Sequence, residues 1–63
     1  MDNQSIIQDV IAMRSEGMQP YDCLMHVIQS GTEYPDAVWL VTRVLKLDND
    51  QVLMMEDDYL TFN

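Results

Sequence analysis

Only three basic residues, Arg14, Arg43 and Lys46, stand against eleven acidic ones in this 63-residue chain, giving a formal net charge of −8. Proteins that grip nucleic acid meet its phosphates with clustered Lys and Arg, so direct nucleic-acid binding is not expected. A single cysteine, Cys23, excludes an internal disulfide and fits a reducing compartment such as the cytoplasm. The longest unbroken apolar run is Ala37 to Val41. That is far short of the roughly 20 residues a bilayer core requires, so no membrane association is expected. The opening Met1-Asp2-Asn3-Gln4-Ser5 holds no basic residue and leads into no signal-type apolar block, so no export signal is expected.

Catalytic machinery is equally scarce. One histidine, one cysteine and two separated glycines provide no triad, no phosphate-cradling loop and no cofactor fingerprint, so neither enzyme activity nor a cofactor is expected. Cys23 and His26 lie three apart but supply only two of the four ligands a structural zinc needs. Asp48-Asn49-Asp50 begins like a calcium loop, yet Val52 and Leu53 follow at the fifth and sixth positions and Tyr59 takes the place of the final Glu. No metal site is expected.

What the chain does contain is helical punctuation. Apolar residues recur at spacings of three and four between residues that start or stop helices, which predicts a small all-α bundle of four short helices in one domain, 1–63. Helix one spans 4–16: Ser5 with Gln8 has capping-box form, Ile6, Ile7, Val10, Ile11 and Met13 form the apolar face, and Gly17 ends it. Helix two opens at Pro20, with Asp22 in its first turn, and spans 20–30 before Gly31. Tyr21, Leu24, Val27 and Ile28 face inward there, with Cys23 and Met25 on the flanks. Helix three repeats the device with Pro35 and Asp36 over 35–46, and helix four covers 49–59 behind an Asp48/Gln51 capping pair. Thr61-Phe62-Asn63 is expected as a loose tail unless Phe62 folds back onto the core. The short connections suit either an antiparallel bundle or a more orthogonal cluster.

Helices three and four carry more apolar residues than one stripe can hold. Ala37, Leu40, Val41 and Val44 form one face of helix three, Val38 and Leu45 widen it, and Trp39 falls almost opposite. Helix four sets Val52, Met55 and Tyr59 on one face, with Leu53, Met54 and Leu60 elsewhere around the axis. So short a chain has too few helices to cover all this, so Trp39, Arg43, Met54 and Met55 are candidate partner-binding residues, Trp being enriched at interface hot spots. The alternative is that Trp39 packs under helix one or the tail. Glu56, Asp57 and Asp58 complete the candidate set, because acidic residues at a helix C-terminus oppose the dipole and helix stability does not account for them. They are either a solvated face or a phosphate-like surface for a basic groove.

The stretch from Ala37 to Asp48 resembles the closing helix and following turn of repressor-type helix-turn-helix domains. Upstream the chain departs from that family, lacking a Gln- or Ser-rich recognition helix with basic residues, so the resemblance implies a protein binder and not a DNA binder. As a whole, with Gly31-Thr32-Glu33-Tyr34-Pro35-Asp36-Ala37 as the prompting segment, the chain is similar in type to short acidic accessory proteins of tailed bacteriophages that bind and disable a host enzyme. That likeness implies a host-takeover or anti-defence inhibitor in the host cytoplasm, whose surplus apolar surface also suits a homodimer. Two alternatives stand beside it: an acidic nucleic-acid mimic that occupies a basic groove, and a structural subunit of a larger assembly.

Overall fold

The structure, a computed structural model, describes residues 3–62, the first of them by its backbone alone. Four helices follow one another: α1 (Asn3–Ser15), α2 (Pro20–Gln29), α3 (Tyr34–Leu45) and α4 (Asn49–Phe62), with no strand among the described residues. The chain is the small all-α bundle its periodicity predicts. Its Cα radius of gyration is 10.5 Å. A compact chain of this length should show about 10.6 Å, so apolar residues left outside are not the product of a loose arrangement.

The first three helices stop by the same device. After α1, the amide of Met18 reaches back to the Met13 carbonyl at 3.1 Å and that of Gly17 to Arg14 at 3.0 Å, with Gly17 at φ 88°. After α2, Thr32 bonds Val27 at 3.3 Å and Gly31 bonds Ile28 at 3.0 Å, with Gly31 at φ 107°. These are Schellman closures, in which a left-handed residue turns the chain so that orphan carbonyls find donors. After α3 the amide of Leu47 reaches the Thr42 carbonyl at 3.1 Å, but the left-handed position is Lys46, at φ 54°. A side chain there crowds the backbone, which glycine avoids.

Starts are more varied. Asp48 and Gln51 cap α4 reciprocally, the Gln51 amide donating to Asp48 Oδ1 at 2.8 Å and the Asp48 amide to Gln51 Oε1 at 3.0 Å. In α2, Pro20 is the first helical residue and Asp22 Oδ2 accepts from the Gln19 amide at 3.2 Å. Two expectations need correction. Helix one already begins at Asn3, which places Ser5 inside the first turn and not at the cap. Thr61 and Phe62 belong to α4, not to a loose tail: the helix meets no Gly or Pro there, and Phe62 lies 5.7 Å from the Tyr21 ring centre. Asn63 falls outside the described residues.

The core consists of Ile6 and Val10 from α1, Cys23, Leu24 and Val27 from α2, Ala37 and Val41 from α3, and Met55 from α4. Helix α2 packs on all three others, whereas α4 leans on α2, touches α3 lightly and makes no close backbone approach to α1 among the described residues. That asymmetry puts Cys23 in the core, where the sequence suggested a flank, and leaves Ile11 half exposed on α1. Between α3 and α4 the rings of Tyr34 and Tyr59 stack at 4.6 Å.

Because Lys46 occupies a glycine position with its closure already formed, Lys46→Gly should raise unfolding free energy by about 1 kcal/mol. Gly17→Ala should lower it by a similar amount: an added methyl would have open space, so only the backbone conformation opposes it. Urea denaturation of the two variants beside the parent chain checks both signs.

Candidate functional site

The sequence-predicted residues scatter over three environments. Trp39 lies opposite Ala37 and Val41 on α3, and because those two fill the core it is turned outward, 62 % exposed. One turn later the Arg43 guanidinium carbon stands 5.1 Å from the Trp39 ring centre. A cation over an exposed indole contributes about 0.5–1 kcal/mol, enough to favour one arrangement of the pair. The result is an amphipathic platform: a broad aromatic surface beside a planar group that keeps its N–H donors for a partner.

Helix α4 splits the remaining candidates. Met55 is 1 % exposed and belongs to the core, so it cannot reach a partner and is removed from the candidate surface. Its neighbour Met54, rotated by about 100°, is 67 % exposed. The physical cause is the position of α4 over α2, which has room for one of the two methionines. Met54 borders a shallow cleft of about 140 Å³, lined also by Arg14, Tyr21, Gln51, Met55 and Asp58. Arg14 is tied there to the chain reversal after α1, its Nη1 donating to the Met18 carbonyl at 2.9 Å.

The three acidic residues do not form one cluster. Glu56 is half-buried and its charge acts on Tyr34, Asp58 faces the cleft, and Asp57 is fully on the outside. Among the described residues no Lys or Arg comes within ion-pair distance of a carboxylate; the pairing that does occur is His26 Nε2 with Asp9 Oδ2 at 3.1 Å. Cys23 and His26 both face α1, the thiol buried 3.9 Å from the Val10 carbonyl and the imidazole 3.1 Å from Asp9 Oδ2 at the partly exposed edge. No group of three or more His, Cys, Asp and Glu gathers in a metal-holding arrangement among the described residues. None of their helices is long and apolar enough to cross a membrane.

Sequence reasoning omitted Leu53 and Leu60 from the candidate surface. They are 63 % and 73 % exposed on the far side of α4. Their signal was present, since both fall away from the Val52, Met55 and Tyr59 face, on the side of the helix opposite Met55.

Among the described residues two groups titrate away from their ordinary values, and both couple folding to alkaline pH. Burial, reinforced by the Asp22 charge and partly offset by Arg14, raises the Cys23 thiol above its usual 9.0. Burial, then the charges of Glu56 and Tyr59, raise the Tyr34 phenol above its usual 10.0. In both cases the unfolded chain loses the proton first, so the stabilisation is complete below the unfolded value and is lost as pH rises through the folded one. Denaturant-measured stability should therefore decline above pH 9.0. Cys23→Ala lowers stability throughout by opening a cavity, but should flatten the first part of that decline, and Tyr34→Phe the later part. An unchanged slope in both variants would show that neither group governs it.

No protein-family model, curated protein or solved structure matches this chain, so a functional reading rests on the placement of its own side chains.

Proposed function

We propose that the chain is a protein-binding regulator or inhibitor that works by contact, not catalysis, and that its grip centres on Trp39. The observation that carries this is the outward placement of the lone tryptophan with Arg43 laid against it. Burying a large aromatic is the readiest way to stabilise a small core, yet the core closes without it. Trp and Arg are also the side chains most often found at the energetic centre of interfaces. Ile11, Met54 and Phe62 add further exposed apolar area.

The resemblance in type to short acidic bacteriophage proteins extends this proposal to a bacterial host enzyme as the target and the host cytoplasm as the place of action. The acidic-mimic alternative draws on Asp48, Asp50, Glu56, Asp57 and Asp58; it is less well supported, because Glu56, Asp57 and Asp58 diverge around α4 and only Asp50 and Asp57 share a face of that helix.

The test is capture from nuclease-treated bacterial lysate on the tagged chain at low and high salt, with Trp39→Ala alongside. One protein retained at both salts, its affinity reduced ten-fold or more by Trp39→Ala, is the expected result for a hot-spot aromatic, corresponding to about 2 kcal/mol or more. A nucleic-acid enzyme held only at low salt and indifferent to Trp39 would replace this reading with the acidic mimic. Nothing retained would leave a structural subunit as the better account.

A further inference from the structure

The outer stripe of α4 is Asp50, Leu53, Asp57 and Leu60, spaced three, four and three residues apart. At 3.6 residues per turn these four fall within about 80° of arc, centred opposite the buried Met55. All four are exposed, the two leucines among the most exposed large apolar residues of the chain. Because α4 packs inward through Met55, on the opposite side of the helix, this stripe points away from the bundle. Alternating three- and four-residue spacing is the pattern by which one helix presents a seam to another. Here every second seam position is a carboxylate.

We propose that this stripe docks a helix of another protein whose facing stripe alternates apolar residues with Lys or Arg. The proposal rests on the protein-binding reading above and supplies the chemistry of the partner. Charge decides the occupant. A second copy aligned in parallel would set Asp50 and Asp57 against their own equivalents, and an antiparallel copy would press unpaired carboxylates onto leucines. Both arrangements remove charge from water without compensation, between chains that each carry −8. A basic, apolar helix satisfies both kinds of position at once: its apolar residues cover Leu53 and Leu60, and its cations pair with Asp50 and Asp57. Among the described residues no Lys or Arg reaches either carboxylate.

The probes are two synthetic helical peptides of about three heptads, identical in their seam leucines, one with Lys and the other with Glu at the remaining seam positions. Each is titrated by fluorescence anisotropy against the full chain. The Lys peptide should bind and the Glu peptide should not. Leu53→Gln with Leu60→Gln, both changes on the solvent face, should weaken the Lys peptide at least ten-fold while leaving the circular-dichroism melt in place, and Asp50→Asn with Asp57→Asn should remove most of the salt dependence. Equal affinity for the two peptides, no binding of either, binding indifferent to the leucines, or sedimentation showing a self-paired chain that separates on Leu53→Gln with Leu60→Gln would each overturn the proposal. Trp39-dependent capture from lysate surviving such a result would retire the α4 stripe and keep the protein-binding function. Loss of both would retire both.

Discussion

The burial of Cys23, Leu24 and Val27 is the contact on which the other three helices depend. Cys23 and Leu24 are adjacent and Val27 follows one turn later on α2, the helix that touches every other, and all three are wholly enclosed. Fully burying an aliphatic side chain contributes about 1.5–3 kcal/mol, and a single core of this size nets about 3–5 kcal/mol after chain entropy is counted. No disulfide is available to support it, because the lone cysteine is itself a packing residue. The stability of the fold and the position of every surface residue are therefore set by how α1, α3 and α4 share the face of α2.

That sharing is unequal, and the exposed apolar surface is its by-product. Helices α1 and α3 pack against one another as well as against α2, while α4 covers one side and makes no close backbone approach to α1 among the described residues. A helix held along only one face keeps its opposite face in solvent, whatever residues happen to be there. On α4 those are Leu53 and Leu60, and on α3 the same logic exposes Trp39 because Ala37 and Val41 are the residues drawn inward. Each of these apolar groups is accompanied by charge: Arg43 over the indole, Asp50 and Asp57 between the leucines. Charge beside apolar surface keeps a free chain soluble and discriminates among partners by sign.

Among the described residues the three basic side chains pair with no carboxylate. Arg14 holds the reversal after α1, Arg43 lies on Trp39, and Lys46 sits in the left-handed closing position of α3. The acidic residues of α4 thus face solvent without partners of their own, and two of them, Glu56 and Asp58, are half-buried besides.

The sequence by itself determined the four helices and most of their ends, because these are local matters. Pro20 opens α2, Gly17 and Gly31 permit the left-handed turns, and Asp48 with Gln51 caps α4, all within a few residues of one another. It also placed Trp39 opposite the core face of α3, since helical periodicity fixes relative directions on one helix. What it could not decide was which of two competing faces the neighbours would cover. Cys23 moved from flank to core, Ile11 was left out, Met55 went in while Met54 stayed out, and Phe62 extended the helix to meet Tyr21. Each of these outcomes depends on how one helix lies across another, and the tertiary structure decided them because a single α2 face has room for one side chain where the sequence offered two.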